Sequence, residues 1–320
     1  MGGYRACAVV ARRVRRDDGP LYRVLHGRIL VAASPAAVPV PMTATVHDTL
    51  IDVAALATLL GDARLVVVDC RFDLAAPAAG RERWLAAHVP GAVYAHLDDD
   101  LSGPPTTDQG RHPLPPPARL ATVFGRLGID AERQVVAYDD AGGMVAARLW
   151  WMLRYMGHRA VAVLDGGWAA WQAAGQPVVS GAEEALERHF TGSARRERLA
   201  RREDIVPGHS ALLDARERAR FRGEVEPIDP VAGHIPGARN HCWRDNLDAA
   251  GRFLPPAELA ARLTRALGAA PDGALTHYCG SGVSACHNVL AQVAAGLPEP
   301  RLYVGSWSEW CRDEAAPGAR

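Results

Sequence analysis

The sequence lacks long hydrophobic runs and has no excess of charge of either sign. Among its 320 residues, Lys+Arg and Asp+Glu both number 36, so the formal net charge is zero. A balanced charge gives no reason to expect nucleic acid or an anionic membrane surface as a partner. No segment approaches the roughly 18 consecutive apolar residues that a membrane-spanning helix needs. We therefore predict a soluble protein that binds neither nucleic acid nor membranes.

The sequence also lacks paired cysteines. No two of its cysteines form a C-x-x-C pair, which disfavours a structural zinc site and predicts no metal. A chain of this length builds a core without disulfides, so we expect reduced thiols and a cytoplasmic location. Most of these thiols are expected to act as small buried hydrophobes. The six cysteines are Cys7, Cys70, Cys242, Cys279, Cys286 and Cys311.

The first 42 residues show no pattern of a folded domain. A basic cluster at residues 12–16 precedes the apolar run Ile29–Ala33, which is shorter than the apolar core of a typical signal peptide. We predict a poorly ordered extension over residues 1–42, with Met42 as an alternative start of the natural chain. Patterning typical of a folded domain begins at Val46.

The rest of the sequence contains an internal duplication. Four landmarks recur in the same order and at nearly the same spacing; for example, Asp69 to His88 spans 19 residues and Asp214 to His234 spans 20. Agreement in both order and spacing indicates two copies of one domain. The paired landmarks are Asp69-Cys70-Arg71 with Asp214-Ala215-Arg216, His88–Ala92 with His234–Ala238, Gln134–Tyr138 with Ala274–Tyr278, and Val163–Trp168 with Leu302–Trp307.

Within each copy, short apolar strands alternate with segments of helical periodicity. This alternation predicts an α/β fold with two similar domains, each a mainly parallel sheet flanked by helices on both faces. We expect a first domain over residues 46–180, a polar linker over 181–203 and a second domain over 204–316. In the first copy, the predicted strands are Leu65–Asp69, Val93–Leu97, Val135–Asp139 and Val161–Asp165, and the predicted helices are Ala118–Leu127 and Val145–Met156.

Cys279 stands at the point where such folds bind ligands, beyond the carboxyl end of a strand. It follows the strand Ala274–Tyr278 and opens a loop that leads into a helix. Glycines in this loop permit a tight turn whose amides point inward, and amides at a helix N-terminus favour a thiolate. We predict that Cys279 is a nucleophile; the matching residue of the first copy is Asp139. The other loop residues are Gly280, Gly282, Val283 and Ser284, which are predicted to contact substrate, and Ser281, to which the resemblance below gives a catalytic role.

From about Val46 to Arg312 the chain resembles the tandem-rhodanese sulfurtransferases, the thiosulfate and 3-mercaptopyruvate sulfurtransferase family. The resemblance implies a catalytic second copy and an inactive first copy, in which a carboxylate replaces the cysteine. It implies that sulfur moves from 3-mercaptopyruvate or thiosulfate, through a Cys279 persulfide, to cyanide, a small thiol or thioredoxin, without a cofactor. The motifs that carry it are His88–Ala92, His234–Ala238, Cys279–Ala285 and Gly305–Trp310.

The resemblance also assigns roles to single residues. Residues 214–223 resemble the family's Asp-Ser-Arg-x-x-Gly-Arg-(Phe/Tyr)-x-Gly stretch, so Arg220 is the expected substrate-binding arginine. Ser281 lies where the mercaptopyruvate type places a catalytic serine. His88 matches a histidine proposed to work with that serine across the domain interface; the alternative is a histidine that only bonds to its own turn, as expected for His234.

Both sulfur donors, 3-mercaptopyruvate and thiosulfate, are compatible with the sequence. The uncharged loop favours 3-mercaptopyruvate, but Ile228 stands where mercaptopyruvate enzymes often carry a second arginine. Two alternatives to a sulfurtransferase also remain: a non-catalytic rhodanese-like binding module, and a cysteine-dependent phosphatase or arsenate reductase. The latter enzymes need an arginine six or seven residues after the cysteine, where this chain has Ala285 and Cys286.

Overall fold

The computed structural model describes residues 46–106, 109–208, 211–268 and 275–313, and the two strands β1 (Tyr22–Leu25) and β2 (Arg28–Val31). Strands β1 and β2 pair in antiparallel orientation. The extension predicted over residues 1–42 otherwise lies outside the described residues. In the part of the chain that is described, no helix has the length and apolar character needed to cross a membrane.

The first copy forms a five-stranded sheet in which all neighbouring strands are parallel, in the order β3-β7-β6-β4-β5. Its strands read as continuous apolar runs because helices cover both faces of the sheet. One predicted strand, Val93–Leu97, is shorter than expected and ends at Tyr94. The elements are β3 (Leu50–Ile51), α1 (Val53–Leu59), β4 (Leu65–Asp69), α2 (Ala79–Ala86), β5 (Ala92–Tyr94), α3 (Pro117–Arg126), β6 (Gln134–Tyr138), α4 (Ala146–Tyr155), β7 (Val161–Leu164) and α5 (Gly167–Ala173).

The second copy repeats this topology, with a parallel sheet in the order β10-β9-β11-β12-β8. Read from its β5 edge, the first sheet has the order β5-β4-β6-β7-β3, so each strand of the second sheet has a counterpart at the same position. The predicted fold class, two tandem α/β domains, is confirmed. The elements are β8 (Leu199–Ala200), β9 (Leu212–Asp214), α6 (Arg218–Phe221), β10 (Arg239–Asn240), α7 (Pro256–Leu267), β11 (Thr276–Tyr278), α8 (Ser284–Ala294), β12 (Arg301–Tyr303) and α9 (Ser306–Trp310), with 3₁₀ turns at Arg196–Arg198, Arg202–Asp204 and Trp243–Asn246.

The two copies share one apolar core, in which α4 of the first copy packs against α8 of the second. Every residue of α4 is buried, as expected for a helix that is apolar on nearly all sides. Residues such as Leu149 and Leu290 belong to the same buried cluster. Because the interface is packed like a domain interior, it holds loops of the first copy at fixed positions against the Cys279 loop.

Candidate active site

A buried ion pair anchors the equivalent strand end in each copy. Arg71 lies 2.6 Å from Asp69, and Arg216 lies 2.8 Å from Asp214; all four side chains are at most 2% exposed. Each arginine reaches back to the aspartate two residues before it, so the turn after the strand is fixed. Arg216 also donates to the carbonyl of Gly233, immediately before His234. The position of Arg216 is that of a structural residue.

The Cys279 loop closes tightly around its sulfur. Cys279 is 1% exposed, and the amide of Gly282 donates to its Sγ over 3.1 Å. A β-carbon on Gly282 would lie 2.4 Å from the carbonyl oxygen of Val304, and the φ of Gly282 is +77°. Only glycine fits both the conformation and the space. The turn therefore depends on Gly282, one of the loop residues predicted from the sequence.

Helix α8 begins directly after this loop. Val283 is buried at the position before the helix, and Ser284 is its first residue. The helix runs for 11 residues, so its N-terminal amides and its dipole point toward the loop. The structure thus brings together Cys279 and all five loop residues predicted to form the site. The positive end of the helix dipole makes this loop suitable for binding an anionic group.

Ser281 forms a relay with two residues of the first copy. Its Oγ lies 2.7 Å from Nδ1 of His112, and Nε2 of His112 lies 3.3 Å from Oδ1 of Asp98. Burial, together with the nearby cations Arg148 and Arg111, lowers the pKa of His112 to about 3. His112 is therefore neutral near pH 7. With Nε2–H facing the carboxylate, Nδ1 is free to accept the proton of the Ser281 hydroxyl.

His88 lies elsewhere, contrary to the role predicted for it. Its side chain is fully buried, and its Nδ1 lies 2.7 Å from the carbonyl of Trp84, one turn back on α2. Its backbone pairs with Val179 of the same copy. His234 likewise bonds within its own copy, to the carbonyl of Phe221. The histidine that meets Ser281 is His112, which the sequence analysis missed.

The sequence does contain a signal for His112, in a second pair of repeated segments. Gly110-Arg111-His112 before the proline-rich start of α3 resembles Gly251-Arg252-Phe253 before the start of α7. We call these two segments the first arm and the second arm. The first arm has six positions from Gly110 to Pro116, and the second has four from Gly251 to Pro255, so a comparison at fixed spacing misses the match.

Arg220, the residue predicted to bind substrate, lies beside the Cys279 loop. Its Nη2 lies 2.7 Å from Glu226 and 3.3 Å from Asp229, and these carboxylates fix the guanidinium. A β-carbon on Gly280 would lie 3.6 Å from both of its terminal nitrogens. The side chain of Arg220 is 16% exposed, so solvent reaches the guanidinium that lies beside Gly280.

Arg148 joins the relay to the loop from inside the interface. It is fully buried on α4, where it donates to the carbonyls of Gly282 and His112, each over 3.0 Å. Burial lowers the pKa of this guanidinium, while the nearby sulfurs of Cys286 and Cys279 act in the opposite direction. Arg148 is one of two arginines, with Arg154, in the otherwise apolar segment 145–156, and this pattern was the available sequence signal. The buried charge of Arg148 lies against the loop that holds Cys279.

A cavity of about 770 Å³ opens beside the relay and is lined by Asp98, Arg111 and His112, among others. This volume suits a small molecule. Within the described residues, no group of three or more His, Cys, Asp or Glu side chains is arranged to hold a metal ion.

The duplication of the chain is also found in its comparison with known protein families. The model of the rhodanese-like domain matches the chain twice, over residues 52–174 and 197–313. The chain belongs to the rhodanese family. It is a tandem-rhodanese sulfurtransferase, as predicted from the motifs.

Relatives with assigned names cover both repeats. The chain is 48% identical to the probable 3-mercaptopyruvate sulfurtransferase of Pseudomonas aeruginosa, over 82% of this chain and 95% of that protein. It is 39% identical to the putative thiosulfate sulfurtransferase SseB of Mycobacterium tuberculosis, over 79% and 90%. The solved structure of 3-mercaptopyruvate sulfurtransferase from Leishmania major superposes with a TM-score of 0.74 at 33% identity, over 82% of this chain and 74% of that one. The similarity includes relatives named for either donor.

Proposed function

We propose that this sulfurtransferase takes sulfur from 3-mercaptopyruvate, holds it as a persulfide on Cys279, and passes it to a small nucleophile. The observation that carries the proposal is the relay of Ser281, His112 and Asp98, which begins at Ser281 in the loop of Cys279. The two donors differ in whether their reaction moves a proton, and the relay matters for only one of them.

With 3-mercaptopyruvate, the Cys279 thiolate attacks the sulfur of the donor. A sulfur–sulfur bond forms, the carbon–sulfur bond breaks, and its electron pair remains on the methylene carbon as the enolate of pyruvate. The proton that the donor thiol carried ends on this carbon, which gives pyruvate and leaves an anionic persulfide. Ser281 and the neutral His112 are placed to carry this proton.

With thiosulfate, the same thiolate attacks the outer sulfur, and sulfite leaves with the bonding electrons. No proton moves in this step, so the relay contributes nothing to it. A thiosulfate enzyme would gain more from positive charge next to the cysteine, whereas Gly280, Ser281 and Gly282 carry none. The uncharged loop and the relay therefore favour 3-mercaptopyruvate as the better donor.

In the second half of the reaction, an acceptor such as cyanide or a thiolate attacks the outer sulfur of the persulfide. The sulfur–sulfur bond breaks and its electrons return to Cys279 as the thiolate. The amide of Gly282 and the N-terminus of α8 stabilise the sulfur anion before and after this step. One covalent intermediate between two half-reactions predicts ping-pong kinetics.

The two donors can be compared directly. We expect pyruvate and thiocyanate to form from 3-mercaptopyruvate and cyanide with a higher kcat/KM than sulfite and thiocyanate form from thiosulfate and cyanide. The Cys279→Ser variant is the control and should form neither product pair. A higher kcat/KM for thiosulfate would overturn the donor assignment, and no turnover with either donor would overturn the proposed function.

A further inference from the structure

Arg148, on α4 of the first copy, donates to backbone carbonyls of three separate segments. Its Nε lies 3.3 Å from the carbonyl oxygen of Leu101, its Nη1 lies 3.0 Å from that of Gly282, and its Nη2 lies 3.0 Å from that of His112. Two of these segments belong to the first copy, and the Cys279 loop belongs to the second. Because Arg148 is fully buried, it joins the three segments within the protein interior.

The same three segments carry the relay. His112 is itself a member, and Gly282 directly follows Ser281, which is another member. Leu101 lies three residues after the third member, Asp98. One guanidinium is therefore bonded to the backbone at, or close to, every member of the relay.

The bonds to Gly282 and His112 come from the two terminal nitrogens of one planar group. A guanidinium holds its N–H groups in a rigid fork, so the two carbonyls are fixed relative to each other. Next to these carbonyls, Ser281 Oγ and His112 Nδ1 lie 2.7 Å apart. Proton transfer between the two side chains requires a separation of this kind. The fork thus lies where it can set the distance on which the relay depends.

Stability alone gives little reason for an arginine at this position. A buried charge is unfavourable unless it is paired or fully hydrogen-bonded. The buried arginines Arg71 and Arg216 each face a carboxylate of their own copy. Arg148 instead donates to carbonyls of both copies. Its partners point to a role in holding the copies in register at the site.

The equivalent position on α8 carries a different residue. Arg148 stands nine residues after Asp139, and Asn288 stands nine residues after Cys279. The side-chain amide of Asn288 donates to the carbonyl of His241, within its own copy, over 2.8 Å. Of the two equivalent positions, the arginine occupies the one that faces the loop with the relay.

We propose that Arg148 is a positioning residue that fixes the geometry of the relay. It acts through the backbone of the Cys279 loop and of the first arm, without contact with the donor. The proposal rests on the proposed function, because the relay serves the turnover of 3-mercaptopyruvate. Loss of the fork should lower kcat for this donor and leave its KM nearly unchanged, as expected for a group that acts in the chemical step.

Arg148→Lys tests the fork, because it keeps the charge and loses the planar group. We expect kcat for 3-mercaptopyruvate to fall about tenfold, since a misplaced proton carrier reacts more slowly, and kcat for thiosulfate to fall much less. The matched control is Arg154→Lys on the same helix, whose guanidinium pairs with Glu299 and which should leave both kcat values unchanged. Arg148→Gln, planar and neutral, is the second variant if a buried lysine prevents folding. Unchanged kcat in the folded variant, an equal loss with both donors, or the same loss in the control would overturn the proposal.

Coupling to His112 distinguishes positioning from general damage to the fold. In His112→Phe the relay is already broken, so adding Arg148→Lys should change kcat/KM for 3-mercaptopyruvate by no more than about twofold. Losses at independent sites would multiply instead. A further tenfold loss in the double variant would show that Arg148 acts on something other than the relay.

A measurement without turnover separates this proposal from the proposed function. NMR of the histidine ring nitrogens shows which nitrogen carries the proton, and the signals of His112 are those that disappear in His112→Phe. We expect a single tautomer with the proton on Nε2 in the wild type and in Arg154→Lys, and shifted or averaged signals in Arg148→Lys. If the signals change in this way but the wild type does not turn over 3-mercaptopyruvate, the proposed function fails and the positioning role stands. If the donor is turned over and the signals of Arg148→Lys match those of the wild type, the positioning role fails alone.

Discussion

The loops after β6 and β11 begin from the same scaffold but enclose different groups. The amide of Trp168 donates to the carbonyl of Asp139 over 2.8 Å, and the amide of Trp307 donates to the carbonyl of Cys279 over 2.9 Å. In the second copy, the amide of Gly282 reaches the sulfur. In the first copy, four amides reach the carboxylate of Asp139 at 2.7–2.9 Å; they belong to Ala141, Gly143, Val145 and Ala146.

This difference indicates separate roles for the loop of Asp139 and the loop of Cys279. Both loops collect backbone amides around an anion. In the first copy a permanent carboxylate satisfies them, although burial raises the pKa of Asp139 against the effect of the four hydrogen bonds. In the second copy a sulfur atom occupies that place, and sulfur can gain and lose a second sulfur. The first loop is therefore structural, while the second can carry a reaction.

The arms sharpen the contrast. The first arm brings His112 to Ser281, but the second arm brings Phe253, and Ala141 stands where the first loop would need the serine. Phe253 instead stacks on His287 with ring centroids 4.5 Å apart. The first loop thus lacks the nucleophile, the hydroxyl and the imidazole together. Restoring only one of them should not restore activity.

The largest expected effect comes from moving the cysteine. Cys279→Ser should reduce thiocyanate formation to background, because no other thiol lies in the second loop. Adding Asp139→Cys to that variant should not restore turnover of 3-mercaptopyruvate, since Ala141 and Phe253 provide no relay. Thiocyanate formation by the double variant checks this. Turnover near the wild-type rate would show that the two loops are chemically equivalent, contrary to our account.

The contribution of the relay to kcat/KM should depend on the sulfur donor. Ser281→Ala or His112→Phe, the latter copying the residue of the second arm, should lower kcat/KM for 3-mercaptopyruvate about 10²-fold or more, the usual contribution of a positioned proton carrier. Thiosulfate turnover should fall much less, because sulfite leaves without a proton. Parallel assays of both donors give the comparison. An equal loss with both donors would mean that the relay only holds the loop in shape.

Arg220→Ala should weaken the use of both donors more than about tenfold, because both are anions and the variant removes a charge-assisted contact. The measurement is kcat/KM for each donor. Arg83→Ala is a suitable control, since Arg83 pairs with Asp140 beside the inactive loop, 3.4 Å away. Unchanged kinetics in Arg220→Ala would remove this residue from the binding site.

Asp139→Ala should affect stability and leave the chemistry nearly unchanged. It leaves four buried amides without their acceptor, at a cost of about 1–3 kcal/mol for each amide that finds no water. The urea midpoint should fall, while kcat per folded molecule stays close to the wild-type value. A large loss of kcat without a fall in the urea midpoint would assign Asp139 a role in catalysis.

Much of the fold could be predicted because the duplication repeats whole landmarks, such as His88–Ala92 and His234–Ala238. The position of Cys279 at the end of a strand and before a glycine-containing loop could also be predicted. The domain limits at residues 46–180 and 204–316, and the roles given to the site residues, stay predictions.

The relay histidine was not predicted, for a physical reason. His88 lies in a turn whose sequence, His88–Ala92, recurs in the second copy as His234–Ala238. Its side chain nevertheless bonds to the preceding helix of its own copy, at the carbonyl of Trp84. His112 lies in an arm without periodicity, and only the packing of α4 against α8 brings the arm to Ser281. The role of Arg148 was not predicted either, because its hydrogen-bond partners are carbonyl groups from both copies. Contacts across the interface depend on tertiary packing, which local patterns do not encode.

The most direct test of the central claim, that only the loop of Cys279 carries sulfur, is the mass of the intact protein after exposure to 3-mercaptopyruvate without an acceptor. We predict a gain of one sulfur atom, located on the Cys279 peptide, lost on addition of cyanide and absent in Cys279→Ser. A gain that persists in Cys279→Ser, or no gain in the wild type, would contradict the account.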